Sequence, residues 1–324
     1  MLTPIRKCLV AIALVEAFFA TTGPSASAAA ELNAGHDASE ATIRDGDRVV
    51  LHYRFDKVPM KPFVDQLFTP DGVQVLRDSP EHHRHHHGLM FALAVDGVNF
   101  WEEDLPASGR EASQSPPTSG VEIGRRVDSG YFSNRLLWVG PESDKPLLIE
   151  RRKIDVLKSR GASLGATLVT WRSQLELPPG KESAAISGSH YFGLGMRFVE
   201  SMDRGGRFFN ADDKPGEVFR GAERLTRTKW CAYTAKADGK PVTVAIFDHP
   251  KNLRPATMFT MTKPFAYLSA TMNVWKEPIT LKAGQRLDLR YGVALWDGEV
   301  DAPTIEKLYQ RWLRNDEARM TKDE

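Results

Sequence analysis

The stretch Arg48-Val49-Val50-Leu51-His52-Tyr53-Arg54-Phe55 alternates between two faces. Every second side chain from Val49 to Phe55 is apolar, whereas the face between them carries His52 and Arg54. Side chains of a β-strand point alternately to opposite sides of a sheet, so this pattern predicts a strand with one face in a core.

Similar segments follow along most of the chain. Apolar runs occur at 136–139, 147–150 and 166–171, with Gly or Pro turns between them. Asp96-Gly97 lies between two apolar segments, a strong signal for a tight hairpin. Residues 106–120 are rich in Ser, Pro and Gly and predict a long exposed loop of the kind that forms lids or binding loops.

The C-terminal pattern changes to that of a helix. Asp301 can cap the helix and Pro303 fits its first turn. The apolar stripe recurs at helical spacing and predicts docking on the sheets; it consists of Ile305, Leu308, Tyr309 and Trp312. We therefore expect a mainly β fold, a large single-domain antiparallel β-sandwich over residues 45–318 with one C-terminal helix and a tail at 319–324; a distorted barrel is the alternative.

The first 29 residues predict a secretory signal peptide. Arg6 and Lys7 precede a mostly apolar run at 8–20, which is too short to span a membrane and is followed by small residues. Residues 30–44 are small and polar and predict a disordered lead-in. We therefore expect an exported protein, periplasmic or extracellular.

The net charge and the apolar runs give no sign of a nucleic-acid-binding or a membrane-spanning protein, and the cysteine content gives no sign of a reactive thiol. Removal of Arg6, Lys7 and Glu16 takes the net charge from +1 to 0, which gives no reason to expect nucleic acid as a partner. No later apolar run approaches the ~18 residues of a membrane span. After the signal peptide only Cys231 remains, in an apolar context that predicts a buried, inert thiol.

Five of the nine histidines fall within six positions, at His82-His83-Arg84-His85-His86-His87. Three interpretations are open: a metal site, an acid/base site, or a hydrogen-bonded structural cluster. In an extended chain His83, His85 and His87 would share one face, and the His-x-His spacing could place two imidazoles on one divalent metal.

A metal would need ligands from elsewhere. His190 and His249 are candidates, and Glu81, Glu102, Glu103 and Asp248 could supply a carboxylate. If a metal is present, we expect His83, His85 and His249 to hold it.

The acid/base interpretation requires no cofactor. Imidazoles titrate near pH ~6.5, and two of them with a carboxylate can move a proton across a sugar carbon or protonate a leaving glycosidic oxygen. His83, His85 and His86 are the predicted catalytic groups. Asp248-His249 follows a buried strand and is the predicted partner, with Asp248 either orienting His249 or capping the turn locally.

Two further side chains are candidates for substrate binding. Arg197 lies in an alternating strand and is either a structural guanidinium or a clamp for a carboxylate or sulfate. Trp101 lies next to two carboxylates, including Glu103, and is the tryptophan that we expect beside a cleft.

The motifs together resemble the PmoA-like family of exported bacterial proteins, whose function is largely undefined. The resemblance spans about residues 48–315 and rests on Phe68–Gly72, His83-x-His85-His86-x-Gly88, Gly97–Trp101, Tyr191–Arg197 with Asn210, Ala245–Arg254 and Leu287–Tyr291. The family label borrows the name of a multi-span methane monooxygenase subunit; this chain has no such spans, so we reject an oxygenase function.

The resemblance implies a fold similar to the galactose-mutarotase-like supersandwich and a glycan or small sugar as partner. It matches at His83, His85 and His86 and departs at His82 and Arg84, which makes His82 and His87 poor site candidates. Three further candidates for substrate binding are His190, Asn210 and Arg254.

We therefore expect an exported carbohydrate-active protein that acts by His/carboxylate acid-base chemistry as a hydrolase, lyase or epimerase. One alternative is a metal-dependent enzyme with a His-rich site. The other is a non-catalytic glycan-binding or envelope structural protein.

Overall fold

The computed structural model describes residues 31–103, 106–124, 127–142, 144–159 and 163–320, without the side chains of 319 and 320. The predicted signal peptide and residues 321–324 of the predicted tail lie outside this range. The elements are β1 (Leu32–His36), β2 (Glu40–Asp45), β3 (Arg48–Arg54), β4 (Phe63–Leu67), β5 (Leu89–Ala92), β6 (Ala94–Val95), β7 (Val98–Asn99), β8 (Arg110–Ser113), β9 (Thr118–Glu122), β10 (Val127–Val139), β11 (Pro146–Ser159), β12 (Thr167–Glu176), β13 (Ser183–Ser187), β14 (Gly193–Arg197), a 3-10 turn (Glu200–Met202), β15 (Arg207–Asn210), β16 (Glu217–Arg220), β17 (Glu223–Arg227), β18 (Trp230–Ala237), β19 (Lys240–Asp248), β20 (Thr257–Met261), β21 (Tyr267–Thr271), β22 (Ile279–Lys282), β23 (Arg286–Asp297) and α1 (Ala302–Met320).

The strands form three antiparallel sheets. The ten-stranded sheet has the order β1-β2-β3-β4-β5-β14-β21-β20-β17-β16. The nine-stranded sheet has the order β15-β18-β19-β23-β12-β11-β10-β8, with β9 also paired to β10, and a small sheet has the order β22-β13-β6-β7. The predicted mainly β, antiparallel sandwich is therefore confirmed.

The core lies between the two large sheets. Tyr53 of β3 stacks on Phe132 of β10 with 4.8 Å between ring centroids, and Phe91 of β5 lies 6.2 Å from Trp138 of β10. The alternation that predicted β3 thus points Tyr53 into this core. The Asp96-Gly97 hairpin is also confirmed, since both residues have the positive φ angles, 50° and 82°, of a two-residue hairpin turn.

Helix α1 covers the outer face of the nine-stranded sheet. Its Ile305, Leu308, Tyr309 and Trp312 are buried against outward side chains of β18, β19 and β23. The Asp301 carboxylate accepts the backbone N–H of Thr304 at 3.0 Å, which is the predicted cap. This helix matters for the site because it occupies one outer face of the sandwich.

Two sequence predictions are corrected by the strands. The predicted disordered lead-in at 30–44 contains β1 and all but the last residue of β2, because Ala41 and Ile43 alternate into the core and Ile43 pairs with Leu51 of β3. The predicted long loop at 106–120 contains β8 and part of β9, both of which pair with the long strand β10.

Within the described ranges, no helix combines the length and the apolar character needed to cross a bilayer. Cys231 is buried, and burial raises the pKa of its thiol to about 12, as expected of an inert cysteine.

Candidate active site

A cavity of about 340 Å³ contains the predicted histidines. It is lined by His83, His85, His86, Glu102, Tyr191, Arg220, Glu223, Phe259, Met261, Pro264, Phe265 and Tyr267. Three imidazoles, two carboxylates and several aromatic rings therefore meet in one concave surface.

The register of the ten-stranded sheet places one wall of this cavity. Met261 of β20 lies opposite Glu223 of β17 on one side and Tyr267 of β21 on the other, and directly opposed residues share a face. Leu268 and Ala270 alternate to the other face, which continues through Leu194 to Phe91 and the core. The cavity therefore lies on the outer face of this sheet, on the side away from the nine-stranded sheet.

The histidines lie on a folded loop before β5 rather than on an extended strand. The backbone N–H of His83 donates to Pro80, that of His86 donates to His83, and the ends are joined by a bridge between Asp78 and His87. The loop brings the ring of His86 to 5.0 Å from that of His83 and 4.6 Å from that of His85. The expected alternation of an extended chain is wrong, but three imidazoles still converge.

Two of these imidazoles have lowered pKa values, which favours their neutral form. Burial, together with the Arg197 guanidinium, lowers the pKa of His83. Burial, with His85 and His83 as neighbours, lowers the pKa of His86 to about 2. A neutral imidazole can accept a proton or bind a hydroxyl group, so His83 is suited to the role of general base.

Glu102 and Glu223 form the carboxylate wall of the cavity, and each accepts hydrogen bonds from neighbouring side chains. Tyr191 donates its hydroxyl to Glu102 at 3.2 Å, and burial followed by this carboxylate raises the pKa of Tyr191 to about 12. Glu223 accepts from Arg220 at 2.7 Å and from His190 at 3.1 Å. Sequence reasoning proposed Glu102 only as a possible carboxylate and missed Glu223.

Behind the loop, the buried side chains of His87 and Lys61 alternate with two partly exposed carboxylates. His87 Nδ1 lies 2.6 Å from Asp78 Oδ1, His87 Nε2 lies 2.8 Å from Glu103 Oε1, and Lys61 donates to the same oxygen at 2.8 Å. Although burial opposes the charge, the bonds to Asp78 and Glu103 raise the pKa of His87. His87 therefore anchors the loop. Glu103 is absent from the cavity lining, so the prediction that it binds substrate is not supported.

Arg197 belongs behind the cavity wall. Its guanidinium binds both carboxylate oxygens of Asp203, at 2.7 and 2.9 Å, and lies 4.1 Å from the ring centroid of Phe265. Since its two terminal nitrogens are engaged and its residue is 3% exposed, the structural interpretation replaces the substrate clamp.

Trp101 is likewise a core residue. It has no exposed surface and stacks on Phe192 with 5.2 Å between ring centroids. Its expected place beside a cleft is therefore corrected: the ring supports Tyr191 and Tyr267, and those two line the cavity.

Asp248 and His249 lie on the other sheet. The Asp248 carboxylate accepts from Asn252 at 2.7 Å and from the N–H of Ala256 at 2.9 Å, which is a local turn cap. His249 packs on Trp312 of α1 at 5.5 Å between ring centroids. The predicted catalytic partnership is wrong, because α1 covers the nine-stranded sheet on the opposite outer face from the cavity.

Three other candidates have local roles. The Asn210 side chain binds its own turn through the Lys214 carbonyl, and Arg254 donates to the carbonyl of Glu277 at 2.9 Å. Neither lines the cavity. His190 lies behind the lining and reaches it through Glu223.

The predicted metal ligands do not assemble. His83 and His85 are neighbours, whereas His249 contacts α1. Across the described ranges, no group of three or more His, Cys, Asp or Glu side chains is arranged to hold a metal ion. We therefore assign no step to a metal.

Several solved structures are similar to this chain at low identity. A putative aldose 1-epimerase from Klebsiella pneumoniae is 10% identical, over 88% of this chain and 87% of that one, with a TM-score of 0.45. The GH36 alpha-galactosidase from Geobacillus stearothermophilus is 10% identical over 86% of this chain, with a TM-score of 0.44. A putative mutarotase from Salmonella typhimurium is 8% identical over 83% of this chain and 97% of that one, with a TM-score of 0.37.

The chain spans 43% of the length of the alpha-galactosidase. No curated protein matches the sequence. Residues 40–310 match the model of a family of unknown function, DUF6807, and the chain belongs to this family.

Proposed function

We propose that this chain is an exported carbohydrate-active protein that acts on a sugar or oligosaccharide by histidine and carboxylate acid-base chemistry. The observation that carries the proposal is the cavity lining, in which His83 and His85 share one concave surface with Glu102 and Glu223. Its volume of about 340 Å³ falls in the range of small-molecule sites, roughly 300 to 1,000 Å³.

The lining chemistry suits a polyhydroxylated ligand. Aromatic rings such as Phe259 and Phe265 offer faces to the C–H surface of a sugar, while carboxylates and neutral imidazoles bind hydroxyl groups. In this proposal His83 takes a proton from a sugar carbon in an epimerase or lyase reaction, or from the attacking water in a hydrolase reaction. Glu102 or Glu223, in its protonated form and in place of Asp248–His249, gives a proton to the opposite face of the carbon or to the leaving oxygen. Hydrolase, lyase and epimerase reactions all use such a pair. The proposal includes export through the predicted signal peptide. The resemblance to the PmoA-like family also stays a hypothesis.

The test is a screen of the purified protein for turnover of a panel of neutral and acidic oligosaccharides. The variant His83→Gln and at least one of Glu102→Gln and Glu223→Gln should lower turnover about 100-fold or more, the usual scale of a lost acid or base. His249→Gln is the matched control, because it changes a histidine on the opposite face. Turnover that survives all three cavity variants would sink the proposal.

Binding of a glycan without turnover would favour the non-catalytic alternative. In that case the same three variants should weaken binding, and no product should form on long incubation.

A further inference from the structure

An exposed aromatic ring lies beside the cavity. Among the described residues, five large hydrophobic side chains are exposed, and Phe219 of β16, at 39% exposed, is the one aromatic ring of the five. The next residue along the strand, Arg220, lines the cavity. Phe219 itself stacks on His190, whose Nε2 lies 3.1 Å from the lining carboxylate of Glu223. One side chain therefore separates the exposed ring from the cavity wall.

A bulge in β16 gives Phe219 its orientation. Val218 lies opposite Arg224 of β17, and the next paired residue, Arg220, lies opposite Glu223, so the register passes over Phe219. Bulges of this kind re-aim a side chain. Because Phe219 stacks on the imidazole that is bound to Glu223, it lies on the outer face of the sheet with the cavity. Val218 shares the face of Arg224 and therefore points to the other side.

One face of the Phe219 ring is covered, and its second face is not covered by either of the rings that contact it. His190 lies against the first face, with 3.8 Å between ring centroids and 27° between the planes. Trp275 meets Phe219 edge-on, at 5.4 Å and 81°, and lies 6.3 Å from His190. The three distances form a nearly right-angled triangle with its corner at Phe219. Trp275 therefore lies beside the stack, and the exposed surface of Phe219 is on its second face and free edge.

We propose that the exposed face of Phe219 is a second sugar subsite, on which one unit of an oligosaccharide stacks while the neighbouring unit occupies the cavity. This subsite rests on the proposed function and narrows its substrate class to chains of at least two sugar units. A single exposed apolar side chain is common on protein surfaces, so exposure alone would carry no weight. The weight comes from the position beside the cavity and from the stack that holds the ring.

The stack makes the ring suitable for a sugar. The C–H face of a pyranose is flat and apolar, and an aromatic ring offers it a large contact area. His190 and Trp275 fix Phe219 on two sides, so binding costs little additional side-chain entropy. Arg220 lies between the ring and the cavity wall, and its guanidinium donates to Glu223 at 2.7 Å. Since a guanidinium carries five N–H donors, the same group can also bind a ligand hydroxyl.

The test compares monosaccharides with disaccharides by calorimetry. The probes are glucose, galactose, mannose and galacturonate, each with its 1,4-linked disaccharide. At least one disaccharide should bind the wild type about tenfold more tightly than its monosaccharide, the scale of one good aromatic contact. Phe219→Ala and Phe219→Leu should each lose this advantage and leave monosaccharide affinity unchanged. Phe219→Tyr should retain it, because the variant keeps a flat ring.

Val218→Ala is the matched control. Val218 is the preceding residue of the same strand and is 63% exposed, but it points to the other face of the sheet. The variant should bind both members of each probe pair as the wild type does. If it loses the disaccharide advantage as Phe219→Ala does, the effect belongs to the strand as a whole and the subsite is wrong.

Three further results overturn the subsite and leave the proposed function standing. They are equal affinity of the wild type for each monosaccharide and its disaccharide, full retention of the advantage in Phe219→Leu, and an equal loss of monosaccharide and disaccharide binding in Phe219→Ala. The last result would show that Phe219 only supports His190 and Glu223. If no probe binds the wild type, the subsite and the proposed function fail together.

Discussion

Glu103 Oε1 lies 2.8 Å from His87 Nε2, and this bond fastens the histidine loop to the segment that carries the cavity carboxylate. The preceding residue, Glu102, lines the cavity and accepts the Tyr191 hydroxyl. Two consecutive glutamates thus have different partners, one behind the loop and one in the wall. The distance between the imidazoles and this carboxylate wall therefore depends on a histidine that is itself absent from the cavity lining.

Replacement of that histidine should cost stability. His87→Gln keeps one amide donor but loses the charge and the second N–H, so either Asp78 or Glu103 loses its bond to this side chain, and only Glu103 keeps Lys61 as a donor. We expect the free energy of unfolding to fall by about 2 to 3 kcal/mol, as for other broken buried pairs, measured by urea denaturation. His82→Gln is the control: His82 is exposed and should change stability by less than about 0.5 kcal/mol. Equal effects would show that His87 anchors nothing.

The same residue should give the stability a dependence on pH. The folded-state pKa of His87 is raised by its bonds to Asp78 and Glu103, against the effect of burial. Its contribution is then fully present below the unfolded value of about 6.5 and is lost as the pH rises through the folded pKa. The stability difference between wild type and His87→Gln should therefore be largest near pH 6 and shrink at alkaline pH. A difference that grows with pH would contradict the assigned charge.

The fold was predictable because its signals are local. The alternation at Leu51 and Tyr53, the two turn residues Asp96 and Gly97 and the capping Asp301 each act within a few residues. The strands β1 and β2 lack such a local signal. Their apolar residues are few and partly alanine, and β2 forms because Ile43 meets Leu51 in the neighbouring strand.

The site was only half predictable. A cluster of five histidines is visible in any sequence, but Glu223 and Tyr267 reach the cavity through the register of β17, β20 and β21, about 140 to 180 positions later. No local sequence pattern predicts which residues of these three strands lie opposite one another. Tyr191 had a weak signal, because it lies two residues before the glycine-containing strand β14. Asp248-His249 looked convincing because it ends a buried strand, and the sequence does not say on which side of the sandwich that strand lies.

His86 should make the protein sensitive to acid. Burial lowers the folded-state pKa of His86 to about 2, whereas the unfolded chain takes up a proton near pH 6.5. Stability is therefore lost as the pH falls through this window, at about 1.4 kcal/mol per pH unit for one proton. His86→Asn removes this titration and should lower the slope of unfolding free energy against pH by about that amount between pH 6 and 4. An unchanged slope would show that His86 is protonated in the folded protein.

Gly195 should tolerate no side chain, because the floor of the cavity closes over it. A Cβ at this position would meet the Tyr267 hydroxyl at 2.0 Å and the Trp101 indole at 2.8 Å. Both rings are buried, and Tyr267 lines the cavity, so Gly195→Ala must displace one of them. We expect a loss of about 2 to 3 kcal/mol in unfolding free energy, the usual cost of overpacking, together with weaker sugar binding.

Gly35→Ala is the matched control for that variant, because Gly35 also lies in a strand of the same sheet and has no atom within 4 Å of an added Cβ. Its unfolding free energy should stay the same or rise by about 0.5 kcal/mol, since alanine restricts the unfolded chain. Urea denaturation of the two variants in parallel separates close packing from the general effect of replacing a glycine. If both variants unfold at the same urea concentration, Tyr267 and Trp101 can move at little cost, and close packing over Gly195 does not fix the position of Tyr267.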